Sequence, residues 1–186
     1  MKTKKFTTSQ LTILGLMAGI LFLMAYTPLG YLNIGPLAVT FNVIPVAVCA
    51  IVLGPTGGAI AGAVFGLTSF MQAIGIGGVS ALGSALFQIN PFMTAVQCFG
   101  PRILDGICIG FIYRAVHKKA NTYVSCAVTG FFSAFLNTLF FMSALVLMFG
   151  NTELIQNLMG GHNIIVGCCL MVGVNAISEM VSSTII

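Results

Sequence analysis

Long apolar runs alternate with short clusters of glycine, proline and polar residues along the whole chain. Crossing a hydrocarbon core about 30 Å thick takes roughly 20 mostly apolar residues at a rise of about 1.5 Å each. Six segments of that character are predicted, at about 8–26, 39–53, 56–74, 91–116, 121–149 and 162–186. The expected fold is an all-α integral membrane protein, a six-transmembrane-helix bundle forming a single membrane domain over residues 1–186. Pro36, Pro55 and Pro101 each follow a glycine and precede an apolar stretch. A proline in the first helical turn loses no hydrogen bond, so these pairs read as helix starts. The fourth span then opens at Asn90-Pro91 or at Gly100-Pro101. Pro45 lies inside the second span and should kink it or mark its first turn.

The basic residues supply an orientation. Lys2, Lys4 and Lys5 precede the first span, and Arg114, Lys118 and Lys119 close the fourth, whereas loops 28–37, 75–90 and 150–161 hold no Lys or Arg. With six spans both clusters fall on one side, so both termini are expected to be cytoplasmic. The lysines and apolar run at the start read as a retained helix, because no small-residue cleavage site follows them.

Composition removes whole classes of function. Hydrophobic residues make up 58% of the chain and charged residues 5%, against about 25% charged in an average soluble domain. That balance excludes a soluble enzyme, a nucleic-acid binder and a disordered chain. The net charge of +4 has no recurring basic face behind it, so no nucleic-acid partner is expected. The six cysteines form no CxxC pair, and neither histidine has zinc-ligand spacing to another ligand, so no metal and no cofactor is expected. There is no GxSxG elbow, no phosphate-binding loop and no pair of intramembrane aspartates. The chain is expected not to be an enzyme, and without a nucleotide site it cannot by itself use ATP.

What remains is a small set of polar, ionisable and small residues inside apolar spans. Gly58, Gly62 and Gly66 recur at intervals of four, as do Gly15 and Gly19 with Ala18 beside them, and Gly106 and Gly110. Such stripes admit a second helix backbone at close range. For the third and fourth spans this favours packing within the bundle, while for the first span docking to another membrane protein competes equally with packing. Arg102, Asp105 and Glu179 are ionisable residues within spans, each disfavoured by about 2.5–3.5 kcal/mol at mid-membrane. Arg102 and Asp105, three apart, can form a structural ion pair. Alternatively Arg102, placed near the outer end of its span, points into a pocket and holds a ligand carboxylate through two parallel hydrogen bonds. Asn137, Asn175, Asn42 and Gln72 supply amides toward the outer or middle parts of their spans. Singly, each reads as an interhelical hydrogen bond; together they point to a polar pocket. The loop from Pro28 to Pro36, with Tyr31 and Leu32, is too apolar to face water comfortably, and reads as a lid over that pocket or as a segment resting on the bundle.

An ordered set of these pieces resembles a known family. Gly35-Pro36-Leu37-Ala38-Val39-Thr40 is followed by Asn42-Val43-Ile44-Pro45, Leu53-Gly54-Pro55, Gly58-Ala59-Ile60-Ala61-Gly62, Pro101-Arg102-Ile103-Leu104, Asn137-Thr138 and Asn175-Ala176-Ile177-Ser178-Glu179. Together they resemble the substrate-binding membrane (S) component of energy-coupling-factor (ECF) vitamin transporters of prokaryotes. The resemblance implies a multi-pass protein of the plasma membrane that captures a small water-soluble vitamin in an outward pocket gated by the first loop. It also implies docking through small residues of the first helix, where Gly15, Ala18 and Gly19 stand in place of alanines four apart. The implied partners are a transmembrane coupling protein, two cytoplasmic ATPases, the vitamin and the lipid bilayer. The Pro-Arg-Ile-Leu and Asn-Thr pieces look most like the pantothenate branch, with folate, riboflavin or another vitamin as alternatives. The implied substrate contacts are Arg102, Asn137, Asn175, Asn42, Gln72 and Tyr31. A secondary transporter, or a membrane scaffold or enzyme subunit without a ligand, is the reading from a different class. The lack of inverted repeats argues against the transporter, and the outward polar cluster against the scaffold.

Overall fold

The computed structural model describes residues 7–27, 31–34, 37–77, 80–150 and 152. In chain order the elements are α1 (Thr8–Tyr26), β1 (Tyr31–Ile34), β2 (Leu37–Thr40), α2 (Val43–Ile74), α3 (Ala81–Ile89), α4 (Pro91–His117) and α5 (Thr122–Phe149). Among the described residues, four helices are long and apolar enough to cross a membrane: α1, α2, α4 and α5. The expected six-transmembrane-helix bundle is corrected first at its second and third spans. The two segments predicted at 39–53 and 56–74 belong to one 32-residue element, α2. The nine residues of α3 are too few to span. The sixth predicted span, 162–186, lies outside the described residues.

The physical reason for the first correction is Gly54. Its φ of 77° and ψ of −167° interrupt the helical backbone inside α2, a conformation open to a residue without Cβ. Pro55 follows in the position where its missing N–H is harmless. A methyl group built on Gly58 would lie 2.9 Å from the Ala50 Cβ, although eight residues of straight helix separate such positions by about 12 Å. The chain therefore folds back at Gly54, and residues 43–53 pack against residues 55–74. Pro45 falls in the first turn of α2, one of the two places expected for it. Pro101, read as a helix start, is instead interior to α4, which opens at Pro91. Asn90 caps that start, its Oδ1 accepting from the N–H groups of Phe92 and Met93 at 3.1 and 3.2 Å. This capped Asn-Pro start outcompetes Gly100-Pro101 because it satisfies the first free N–H groups of the helix.

The segment expected as an apolar loop contains a hairpin. β1 and β2 pair antiparallel, with Tyr31 opposite Thr40 and Ile34 opposite Leu37. Backbone pairing satisfies polar groups that a loop would have to expose or bury unpaired.

The second half of α2 runs antiparallel to α4 at very short range. Gly66 faces the backbone at Cys98 and Phe99, Gly62 that at Arg102 and Ile103, Gly58 that at Gly106, and Pro55 that at Gly110. A methyl group on Gly66 would stand 2.9 Å from the Cys98 carbonyl oxygen, and one on Gly110 2.5 Å from the Pro55 Cα. The glycines at four-residue spacing on both helices are thus packing surfaces within the fold, as expected for these two. α1 lies along α2: Leu21, Val43, Val46, Cys49, Ala61 and Phe65 form one buried cluster. At the end of α1 the Gln72 Nε2 donates to the Ala25 carbonyl at 2.6 Å and the Tyr26 hydroxyl to the Met71 sulfur at 3.3 Å. α3 packs on the far end of α5 through Leu86, Met142, Leu145 and Phe149.

These contacts define two ends. The hairpin, Asn42, the close of α2, α3 and the start of α4 lie at one end. The Gly54 break lies at the other, beside the Arg114 guanidinium, with His117, Lys118 and Lys119 next to it in the chain. The basic end is expected to face the cytoplasm. In a background without the native cysteines, Ser80→Cys should react with an impermeant thiol reagent in intact cells and Lys118→Cys only after permeabilisation; the reverse pattern would invert this orientation. Gly58→Ala or Gly62→Ala should lower the apparent melting midpoint in detergent by about 2–12 °C, from about 1–3 kcal/mol of overpacking at about 2–4 °C per kcal/mol. Gly15→Ala, at a position with nothing within 4 Å, should leave the midpoint unchanged.

Candidate functional site

Arg102 is the twelfth residue of the 27-residue α4, so it sits near the middle of the helix and deeper than the sequence suggests. The shift follows from the start of α4 at Pro91, ten residues before Pro101. Gly62 packs against the Arg102 backbone, which fixes the level at which the side chain leaves α4. The guanidinium carbon lies 4.6 Å from the centroid of the Phe65 ring on α2 and 5.2 Å from that of Phe141 on α5. Nη1 donates to the Cys98 carbonyl, one turn earlier, at 3.3 Å. Nε is buried and has no hydrogen-bond partner among the described residues.

Magnitudes decide how this cation is tolerated. Insertion of an arginine at mid-membrane is disfavoured by about 2.5–3.5 kcal/mol. A desolvated cation–ring contact contributes roughly 1–2 kcal/mol, so two rings offset much of that without using the guanidinium N–H groups.

Other buried polar groups lie on α2, α4 and α5. Asn137 is 6% exposed on α5, and its Oδ1 is buried without a partner among the described residues. Ser133, Asn137 and Phe141 recur at intervals of four, which places them on one face of α5. The Ser133 hydroxyl is likewise buried and unpartnered among the described residues. On α4, the Gln97 Nε2 donates to the Phe141 carbonyl at 2.8 Å, while its Oε1 is buried without a partner among those residues. On α2, Ser69 lies one turn beyond Phe65 with a buried, unpartnered hydroxyl of the same kind. Unpaired polar atoms inside an apolar protein are disfavoured by about 1–3 kcal/mol each. These unpaired atoms are carried by three helices, α2, α4 and α5.

The remaining predicted residues separate into groups. Gln72 is buried, and its Nε2 is committed to the end of α1, which makes it a structural tie. Asn42 is fully buried at the N-terminal end of α2. Tyr31 opens β1 opposite Thr40. Asp105 is buried on α4. Asn175 and Glu179 lie outside the described residues. On α1, Gly15 and Gly19 are exposed, with nothing within 4 Å of a methyl group built on either, and Ala18 is half-buried beside them. Phe65, Phe141, Gln97, Ser69 and Ser133 were missed. The spacing Ser133-Asn137-Phe141 was the available signal, but aromatic and hydroxyl residues in apolar spans carry no mark of their own. Among the described residues no group of three or more His, Cys, Asp or Glu is placed to hold a metal ion.

Comparison with known proteins accords with this arrangement. Residues 9–186 match the family described as ECF transporter, substrate-specific component. The pantothenate transporter PanT of Leuconostoc mesenteroides subsp. mesenteroides is 32% identical over 170 residues, covering 88% of this chain and 78% of that protein. The pantothenic acid transporter PanT of Lactococcus lactis subsp. cremoris is 28% identical over 162 residues, covering 80% of this chain and 78% of that one. With a match of that extent and a relative of that identity, the chain belongs to the ECF transporter substrate-specific components, and is a multi-pass substrate-binding component of a prokaryotic plasma-membrane transporter.

Proposed function

We propose that this chain captures pantothenate from outside the cell and delivers it to an ECF module made of a transmembrane coupling protein and two cytoplasmic ATPases. The observation that carries the substrate is Arg102: a half-buried guanidinium flanked by two rings, with its Nε buried and unpartnered among the described residues. A carboxylate that meets this fork gains two parallel charge-assisted hydrogen bonds. The buried amide oxygen of Asn137 accepts from a ligand hydroxyl or amide N–H, and pantothenate carries both beside its carboxylate. The names of the two relatives support the same ligand. The open small-residue face of α1 at Gly15, Ala18 and Gly19 supports docking of the coupling protein there.

Calorimetric titration of detergent-purified protein with pantothenate tests the site. Arg102→Gln should weaken binding more than about 100-fold, since the loss of a desolvated charge partner amounts to several kcal/mol at about 1.4 kcal/mol per tenfold. Arg102→Lys keeps the charge without the planar fork and should still bind more weakly than the wild type. Asn137→Ala should lose less, about 1–3 kcal/mol. Unchanged affinity in a folded Arg102→Gln protein would make Arg102 a structural residue. For the partner surface, Gly15→Leu with Gly19→Leu should spare binding and reduce copurification of the coupling protein and uptake into cells. Loss of ligand binding as well would mean that this face serves folding.

A further inference from the structure

Arg102 can present its fork to an anion only if something other than an anion holds it in place beforehand. This inference rests on the reading of Arg102 as the carboxylate anchor. We propose that Phe65 and Phe141 are positioning residues that keep the Arg102 guanidinium oriented in the empty site, so that discrimination between an acid and a neutral ligand depends on both rings. Three observations carry it. First, the rings approach the guanidinium carbon at 4.6 and 5.2 Å from two different helices, α2 and α5. A ring face attracts a cation through its quadrupole and occupies none of its N–H donors, whereas a carboxylate partner would occupy the fork.

Second, the hydrogen bonding of Arg102 among the described residues is weak. Of the five donors that a guanidinium carries, one Nη1 donor reaches the Cys98 carbonyl at 3.3 Å, and Nε is buried with no partner among the described residues. Charge-assisted N–H···O bonds are typically about 2.7–2.9 Å, so the Cys98 contact is a weak tether.

Third, both rings are themselves held. Phe65 is 2% exposed and belongs to the cluster that joins α1 to α2. Phe141 sits at the point where the Gln97 side chain ties α5 to α4 through the Phe141 carbonyl, at 2.8 Å. The guanidinium therefore lies against two rings from different helices, and its Nε has no hydrogen-bond partner among the described residues.

The test measures a ratio of affinities. Wild type, Phe65→Leu, Phe141→Leu and Phe65→Tyr are titrated with pantothenate and with the neutral analogue bearing a primary alcohol in place of the carboxylate. Each Leu variant keeps an apolar side chain without the ring face. It should lower the acid-over-alcohol affinity ratio roughly three- to thirtyfold, while affinity for the alcohol stays at the wild-type value. Phe65→Tyr, which keeps a ring face, should retain the ratio. Equal weakening toward both ligands, or an unchanged ratio in folded Leu variants, overturns the proposal and leaves the rings as core packing. If the wild type itself does not prefer the acid, the reading of Arg102 as an anchor fails and this proposal fails with it. Should Phe141→Leu not fold, Phe65→Leu decides alone, because its ring comes from a different helix.

Discussion

The close approach of α2 and α4 is the constraint on which the rest of the fold depends. Between Pro55 and Gly66 the two backbones run so near each other that a single methyl group at Gly58 or Gly62 would strike a main-chain carbonyl of the partner. Lipid tails are as apolar as leucine, so helices in a membrane gain little from mere burial, and close van der Waals contact between backbones replaces it. That contact also sets the axial register. Gly62 meets Arg102 and Gly66 meets Cys98, so the level of Arg102 relative to α2 is decided by glycines that carry no chemistry themselves.

The register has a direct consequence for the site. Phe65 is three residues beyond Gly62, and that offset brings its ring under the guanidinium of Arg102. From the opposite side α5 contributes Phe141, fixed by Gln97. A buried charge in an apolar bundle is commonly stabilised by an opposite charge, at the expense of both partners' hydration. Here two ring quadrupoles supply part of that stabilisation and occupy no N–H donor. A binding residue has to be stable when empty and still have something to offer when the ligand arrives, and aromatic support meets both requirements.

The two ends of the molecule are built differently. At the basic end the chain reverses at Gly54 within one residue, and Arg114 lies against the turn. At the other end the chain is looser in design: a hairpin, the short helix α3 and the Asn90 cap intervene between the long helices. The amide of Gln72 ties α1 to α2 there. The hairpin is thus attached at the end toward which an external ligand approaches in the proposed orientation, over a bundle whose opposite end is closed by tight turns.

The amino-acid sequence by itself determined the membrane character, the positions of α1 and α5 to within a residue or two, the end of α4, and the role of the glycine stripes on α2 and α4, and it marked Arg102 and Asn137 as candidates. These follow from local quantities: length of apolar run, spacing of small residues, and the rarity of charge in such runs. Only the tertiary structure decided the rest. Gly54 could be read as punctuation between two spans, but that it interrupts one folded-back element depends on its φ and on the contact of Ala50 with Gly58. The hairpin depends on pairing between two short strands, and Pro101 lies inside α4 because Asn90 offers a better cap. Gln72 looked like a ligand amide and is a tie to Ala25; Phe65 and Phe141 looked like ordinary core and flank the cation. A side chain's role depends on what another helix places opposite it, and that juxtaposition arises between residues far apart in the chain, where no local pattern records it.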